Sequence, residues 1–177
     1  MADREEIIFD KHLLIHRLPS DLYSYWRNPE LLPHILDFLE EVTALDDQRS
    51  RWTVLVANNE RITWDTEITE DIPNHLIRWH SEGNSDVLHE GVVRFSPTGQ
   101  HRTADLHLHL NFYFPPLKDS RPDMLGEDFQ NRTEEDLRRF KLAVEANEFP
   151  IHKREGRRGL PWGFPGAASQ QGGLFNY

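Results

Sequence analysis

The chain has 177 residues, of which 37% are hydrophobic and 28% charged, a size and composition that suit one domain with an appendage. Its formal net charge of -10 at pH 7 disfavours contact with phosphate backbones and anionic lipid headgroups, so nucleic acid is not an expected partner. Because the chain has no cysteine, disulfides, thiolate nucleophiles and cysteine-ligated zinc are excluded.

The N-terminal part of the chain predicts one strand followed by two short helices. Residues 5–18 alternate loosely between apolar and polar side chains, which indicates a strand. The run Pro19-Ser20-Asp21 predicts a helix start with Ser20 as its cap, and Asn28-Pro29 predicts the end of that helix. A second short helix is expected over residues 30–36, with Pro33 in its first turn.

Six further strands are predicted between residues 38 and 114, separated by turn signals such as Asn58-Asn59. The clearest is residues 103–114, where apolar and polar side chains alternate strictly from Ala104 to Phe114. This period of two is typical of a sheet with one dry and one wet face.

The last third of the chain predicts a loop, a helix and a segment without its own fold. Prolines in residues 115–132 favour a loop, and Thr133-Glu134-Glu135-Asp136 has the pattern of a capping box at a helix start. A stripe of Leu137, Phe140 and Val144 then predicts a helix that ends before Pro150. Residues 151–177 hold six of the ten glycines and show no periodicity. The chain therefore divides into a domain over residues 1–150 and a C-terminal segment over residues 151–177.

This order of elements predicts an α+β fold in which an antiparallel sheet of about seven strands wraps around a long C-terminal helix, a helix-grip fold. The C-terminal helix is the only predicted element long enough to cover the apolar face of the sheet. A sheet curled around one helix leaves space between the two, and that space is the expected ligand cavity.

Several motifs, taken in order, resemble the polyketide cyclase/dehydrase branch of the START-like (SRPBCC) superfamily, which also includes coenzyme Q-binding relatives. The resemblance covers residues 5 to about 148. Its first motif is Pro19-Ser20-Asp21-Leu22-Tyr23-x-x-Trp26-x-x-x-Glu30-x-Leu32-Pro33. The later motifs are Arg51-Trp52, Trp64-Asp65-x-Glu67-Ile68-Thr69-Glu70-x-x-Pro73, Ile77-x-Trp79, Gly91-Val92-Val93-x-Phe95 and Asp136-Leu137-x-Arg139-Phe140-Lys141.

The resemblance implies the helix-grip fold and a cavity that holds a hydrophobic small molecule such as a lipid, sterol, quinone, polyketide or plant hormone. Some members of the superfamily are aromatase/cyclases, whereas the coenzyme Q-binding relatives are carriers or chaperones. No cofactor follows from the resemblance beyond a bound hydrophobic ligand.

Aromatic and aliphatic side chains on the apolar faces are the candidate ligand-binding residues. Tryptophans at these positions suit either a pocket for a flat, apolar ligand or ordinary core packing, and each single tryptophan favours packing. The candidates are Trp26, Trp52, Trp64, Trp79, Leu106, Leu108, Leu110, Phe112 and Phe140.

Neither a catalytic residue nor a metal site is predicted. General acid/base chemistry needs a titratable group inside the cavity, and the one polar residue assigned to the face of Trp64 is Thr66. His107 and His109 lie two apart on one strand and could chelate an ion, yet they share the polar face with Asp105 and no known metal motif is present.

The C-terminal segment has two open interpretations. Chain ends with this composition are commonly disordered, but arginine and large aromatic residues also dominate protein interfaces. The candidate partner-binding residues are Arg157, Arg158, Trp162, Phe164, Phe175 and Tyr177.

Three functions follow from these observations. The favoured one is non-catalytic binding of a hydrophobic small molecule such as a lipid, quinone, polyketide or pigment-like compound. The alternatives are an accessory or assembly subunit that docks on a larger complex through residues 151–177, and a polyketide cyclase/dehydratase. The acidic start lacks a signal-peptide pattern and no apolar run approaches the roughly 20 residues of a transmembrane helix, so a cytoplasmic location is expected.

Overall fold

A computed structural model describes residues 5–55, 61–83, 85, 87–114 and 122–150 of the chain. Seven strands and three α-helices are assigned in this part. The strands are β1 (Glu5–Ile15), β2 (Leu39–Ala44), β3 (Arg49–Leu55), β4 (Arg61–Ile72), β5 (Leu76–Ser81), β6 (Leu88–Pro97) and β7 (Ala104–Phe114). The helices are α1 (Pro19–Trp26), a 3-10 helix (Pro29–Leu31), α2 (Leu32–Ile35) and α3 (Pro122–Glu145).

The strands form one antiparallel sheet in the order β1-β7-β6-β5-β4-β3-β2. Five of its six pairings join consecutive strands, while β1 pairs with β7 across the length of the domain. Together with α3 this is the predicted helix-grip fold, an α+β architecture, so the expectation for the fold is confirmed.

Strict alternation on β7 sets the core face of the sheet. Every second residue from Ala104 to Phe114 is buried and the residues between them are partly exposed. Helix α3 covers this face, and the Phe129 ring lies 5.6 Å from the Phe112 ring. The predicted stripe of Leu137, Phe140 and Val144 is buried as well, so the main core lies between sheet and helix.

Helix α3 also covers the free edge of β1. The side chain of Gln130 donates to the backbone carbonyl of Ile8, and Lys141 donates to that of Leu14. Such cover blocks further strand addition at an exposed edge. The helix ends in a Schellman-type turn, in which Asn147 adopts a positive φ of 59° and Glu148 N–H bonds Ala143 O.

Two local predictions were wrong. Ser20 does not cap α1, because the helix begins one residue earlier at Pro19, with Leu18 as its N-cap and no side-chain cap; proline fits the first helical position since its missing N–H needs no partner there. The predicted loop over residues 115–132 is helical from residue 122 onward. The run from Thr133 to Asp136 is therefore mid-helix, and both of these residues are buried. The predicted turn at Asn58-Asn59 lies outside the described residues.

Candidate functional site

A cavity lies between the C-terminal end of α1, the segment that follows it, and strands β3 to β5. Its volume is about 30 Å³, which is room for one or two water molecules. We call it the Trp cavity. It is lined by Trp26, Arg27, Pro29, Leu32, Ser50, Trp52, Thr66, Ile68, Ile77 and Trp79.

Three tryptophans form the aromatic wall of the Trp cavity. Trp26 is the last residue of α1, while Trp52 and Trp79 point inward from β3 and β5. All three are buried, and the rings of Trp52 and Trp79 lie 6.0 Å apart at an interplanar angle of 37°. A flat apolar molecule would find ring faces and edges here rather than flexible aliphatic chains.

A short polar chain of Trp52, Ser50 and Thr66 lines one side of the cavity. The Nε1–H of Trp52 donates to Ser50 Oγ at 3.0 Å, and Ser50 Oγ lies 3.0 Å from Thr66 Oγ1. The Thr66 hydroxyl donates to the backbone carbonyl of Ser50 at 3.0 Å. Since each hydroxyl has one proton, the Ser50 hydroxyl must donate to Thr66, and every donor of the chain is used.

Trp26 differs from Trp52 in its hydrogen bonding. Its Nε1–H is buried and has no acceptor within hydrogen-bond distance among the residues that the structure describes. An unsatisfied buried donor costs about 1–3 kcal/mol. A ligand with an acceptor atom in the Trp cavity could supply the missing bond.

Polar contacts at Arg27 hold α1 against β4 and the β2–β3 turn. Arg27 Nε donates to Asp71 Oδ2 at 2.8 Å, and its Nη2 donates to the Asp47 carbonyl at 2.6 Å. The Tyr23 hydroxyl donates to Asp71 Oδ1 at 2.7 Å. Burial and this bond to Asp71 raise the pKa of Tyr23. Arg27 also lines the cavity, so these contacts hold one part of the cavity wall in place. We call the contacts of Arg27 with Asp71 and the Asp47 carbonyl the latch.

A buried histidine stands directly behind the tryptophan wall. Trp79 Nε1–H donates to His89 Nε2 at 2.7 Å, so the proton of His89 is on Nδ1, which donates to the Asn111 carbonyl at 3.2 Å. The Phe112 ring stacks on the imidazole at 3.9 Å. Burial lowers the pKa of His89 to about 3, so the ring is neutral at pH 7.

A second buried titratable group, Asp136, lies on α3. Its Oδ2 accepts the Asp37 N–H at 2.9 Å and its Oδ1 accepts from Arg139 at 2.7 Å. Burial raises the pKa of Asp136 to about 7, against the opposite influence of these two donors. Asp136 thereby ties α3 to the loop after α2, and it is not among the residues that line the Trp cavity.

The structure brings together three of the predicted ligand-binding residues and separates the others from the cavity. Trp26, Trp52 and Trp79 line it. Trp64 is buried beside Trp52, with 6.1 Å between ring centroids, and is not part of the lining. The remaining candidates are buried in the core between sheet and α3, namely Leu106, Leu108, Leu110, Phe112 and Phe140. The partner-binding candidates Arg157, Arg158, Trp162, Phe164, Phe175 and Tyr177 lie outside the described residues.

Several residues that line the Trp cavity or lie directly behind its wall were missed from the sequence, and the reasons differ. Ile77 could have been found, because it shares the inward face of its strand with Trp79. His89 could also have been found, since it alternates in phase with the buried residues Val93 and Phe95. Arg27 could not, because only the folded chain brings it beside Asp71.

Residues 15–141 match the family described as polyketide cyclase / dehydrase and lipid transport. The chain belongs to this family. It is thereby a relative of the START-like (SRPBCC) proteins, as the motifs predicted, and its domain is of the polyketide cyclase/dehydrase or START-like hydrophobic ligand-binding type.

Three similar proteins illustrate the family and its fold. An uncharacterized 17.2 kDa protein from the melC2-rnhH intergenic region of Streptomyces lincolnensis is 30% identical over 127 residues, which are 70% of this chain and 79% of the relative. The crystal structure of DR_A0006 from Deinococcus radiodurans is 28% identical and superposes with a TM-score of 0.67 over 79% of this chain and 98% of its own.

The di-domain ARO/CYC protein StfQ from the steffimycin biosynthetic pathway shares the fold at 14% identity, with a TM-score of 0.61 over 80% of this chain and 51% of its own. This likeness supports the architecture alone. In the part of this chain that the structure describes, no helix is long and apolar enough to cross a membrane.

Proposed function

We propose that this protein binds a flat, mostly apolar small molecule in the Trp cavity and performs no chemistry on it. The observation that carries the proposal is the composition of the cavity wall. Three indole rings and three aliphatic side chains face the polar pair Ser50 and Thr66. Apolar walls with a few fixed polar groups are typical of small-molecule sites.

The polar groups indicate what the ligand carries. Trp26 offers a buried N–H without an acceptor among the described residues, and Arg27 contributes a permanent positive charge at the wall. Both groups favour a ligand with an acceptor such as a carbonyl or phenolate oxygen on an apolar ring system. Quinones and aromatic polyketides have this chemistry, whereas a simple hydrocarbon lacks it.

Catalysis is the weaker alternative, although the ARO/CYC protein StfQ has a similar fold. A cyclase or dehydratase needs a general acid or base that reaches the ligand. Within the described residues, the lining of the Trp cavity has no aspartate, glutamate, histidine, lysine or tyrosine. His89 lies behind Trp79 with both ring nitrogens in hydrogen bonds, so it offers no free base.

Ligand entry requires the wall to move, because about 30 Å³ is far too small for a ring system. The movable part is the segment from Arg27 to Leu32, which contributes lining residues and is held by the contacts of Arg27 with Asp71 and the Asp47 carbonyl. Release of these contacts would lower the free energy needed to move the segment from Arg27 to Leu32 away from β3 to β5. We therefore place the entry at the latch.

Titration with 1-anilinonaphthalene-8-sulfonate, a flat aromatic anion, tests the proposal together with native mass spectrometry for co-purified ligand. We expect saturable binding that quenches tryptophan fluorescence. Filling the cavity with Ile77→Phe is expected to weaken binding at least tenfold. The same change at Ile62, on β4 outside the lining, is the matched control and is expected to leave binding unchanged.

Both variants must unfold cooperatively at temperatures close to the wild type, because dye binding also reports loosened packing. Equal binding by Ile77→Phe and wild type would contradict a ligand site in the Trp cavity. Turnover of a polyketide substrate would contradict the non-catalytic part of the proposal.

The composition of residues 151–177 supports a second role, docking on a protein partner. Two aromatic residues, Trp162 and Phe164, follow a basic run that could contact an acidic surface. Co-purification with and without this segment tests it, and unchanged association after its removal would contradict it.

A further inference from the structure

Four titratable side chains form a square on the outer face of the sheet, where β1 pairs with β7. Asp10 lies opposite His109 in the register, and His12 lies opposite His107. Neighbours on each strand are two residues apart, so all four side chains project from the same face. This face is opposite the core and far from the residues of the Trp cavity.

The four side chains are already in contact. Asp10 accepts from His107 Nε2 at 2.9 Å through one oxygen and from His109 Nδ1 at 2.7 Å through the other. The imidazole of His12 stacks on that of His107, with 3.9 Å between ring centroids and 6° between planes. Each oxygen of the Asp10 carboxylate therefore faces one imidazole nitrogen of β7.

The spacing of these groups suits a metal ion. Ligand atoms of Asp10, His12 and His107 all lie within 4.8 Å of one another. Zn²⁺ binds nitrogen and oxygen at about 2.0–2.2 Å, so its tetrahedral ligands are roughly 3.4 Å apart. Binding requires the His12 ring to turn out of its stack on His107, because imidazole nitrogens bind a metal in the plane of the ring, and the exposed positions of Asp10 and His12 permit this rotation.

Asp105 on β7 is in contact with the imidazole of His12. Its Oδ2 lies 2.8 Å from His12 Nδ1, so that nitrogen carries the proton and Nε2 keeps its lone pair for a metal. Carboxylates that orient a metal-bound histidine in this way are common in metalloproteins. Asp105 would act as a positioning residue, without contact to the ion.

We propose that Asp10, His12 and His107 bind one divalent transition-metal cation of the Zn²⁺, Cu²⁺ or Ni²⁺ class, oriented by Asp105. The ion replaces the proton between His107 Nε2 and Asp10, and that proton moves to Nδ1 of the same imidazole, so both histidines bind as neutral rings. His109 lies at the rim of the site. The ion joins the edge strand β1 to β7, so the site clamps the one sheet pairing that connects distant parts of the domain.

Isothermal titration of the untagged, metal-free full chain with ZnCl₂ tests this inference, and Co²⁺ absorption reports the coordination geometry. We expect one ion per chain, tetrahedral Co²⁺ bands and a higher melting temperature with Zn²⁺. His107→Ala and His12→Ala are each expected to weaken binding at least tenfold. Asp105→Asn is expected to weaken it about 10–100-fold, as loss of an orienting carboxylate does.

His80→Ala is the matched control, because His80 is also an exposed strand histidine next to a carboxylate, with 3.7 Å from its Nε2 to Glu67. It is expected to bind Zn²⁺ like the wild type. The four variants change exposed or partly exposed residues, and their circular dichroism spectra below the unfolding transition, together with their melting temperatures, verify that they fold. Absence of saturable binding, or equal loss in His80→Ala and His107→Ala, would overturn the inference.

Discussion

The indole of Trp79 donates its N–H to Nε2 of His89 at 2.7 Å, and both side chains are buried. This bond fixes the neutral imidazole as an acceptor and joins β5 to β6 directly behind the Trp cavity. Because burial lowers the pKa of His89 from 6.5 to about 3, the folded protein resists a proton that the unfolded chain accepts.

Stability should therefore fall as the pH decreases from 6.5 toward 3, since the unfolded chain binds the extra proton in this window. Between pH 7 and pH 5 the contribution of His89 is about 2 kcal/mol. His89→Gln retains an acceptor and a donor but does not titrate, so its stability should decrease by about 2 kcal/mol less over the same interval. Urea unfolding followed by tryptophan fluorescence measures both changes. His80→Gln, an exposed histidine, serves as the control, and an unchanged pH dependence in His89→Gln would contradict the prediction.

Asp136 should have the opposite effect. Its pKa is raised to about 7, so the folded chain keeps a proton that the unfolded chain releases near 3.8, and stability falls as the pH rises through this window. Between pH 5 and pH 7 this loss is about 2 kcal/mol, which offsets the gain from His89. Asp136→Asn should thus gain about 2 kcal/mol more than wild type from pH 5 to pH 7. Carboxyl carbon NMR gives the pKa directly, and a value below 5 would contradict this account.

The sequence was sufficient for the sheet and the C-terminal helix, because both depend on local periodicity. Alternation from Ala104 to Phe114 predicted β7 within one residue of its observed start. The predicted start of α3 was wrong, since Thr133 to Asp136 has the residue types of a capping box but lies inside the helix with Thr133 and Asp136 buried, where Asp136 instead accepts the Asp37 N–H. Residue types alone do not show whether such a run faces solvent or core.

The candidate sites were predictable only where each helix or strand could be considered separately. Inward parity identified Trp52 and Trp79. The square of Asp10, His12, His107 and His109 could not be found, because the pairing of β1 with β7 joins residues almost a hundred positions apart. Register between distant strands is set by the whole fold and leaves no local signal.

Gly91 provides the space that the Trp79 indole occupies, so Gly91→Ala should destabilise the domain. A Cβ at this position would overlap the six-membered ring of the indole. Overpacking of this kind typically costs about 1–3 kcal/mol, measured here by urea unfolding. Gly99→Ala is the matched control, since nothing lies within 4 Å of its Cβ. A second substitution, Trp79→Phe, should relieve the overlap, and equal stability of Gly91→Ala and wild type would contradict the role of this glycine.

Phe149, near the end of the described residues, packs against the domain. Its ring lies 4.9 Å from Tyr25 and 5.2 Å from Phe140. Truncation after Pro150 should keep the melting temperature within a few degrees of the full chain, whereas truncation after Ala146 should lower it markedly because this aromatic contact is lost. Calorimetry distinguishes the two, and the longer truncation product is also the reagent that tests partner docking by residues 151–177. Unfolding of both products would contradict a domain that ends at Pro150.

Loss of the Arg27 contacts should accelerate ligand exchange at only a small cost in stability. Arg27→Ala removes the contacts with Asp71 and the Asp47 carbonyl, both at partly exposed positions, so the loss of stability should be about 0.5–1 kcal/mol. The same free energy shifts the closed–open equilibrium of the Trp cavity by about two- to five-fold, and stopped-flow binding of 1-anilinonaphthalene-8-sulfonate should be faster by that factor.

Arg51→Ala is the matched control, because it breaks an Arg51–Asp65 pair of the same kind, with a shortest N···O distance of 2.7 Å, on the opposite face of the sheet. Arg51→Ala should leave the rate of dye binding unchanged. If both variants bind the dye at the wild-type rate while Ile77→Phe still prevents binding, the ligand occupies the Trp cavity but enters elsewhere. If Arg27→Ala alone is faster, the contacts of Arg27 control ligand entry, because Arg27 lines the cavity and Arg51 does not.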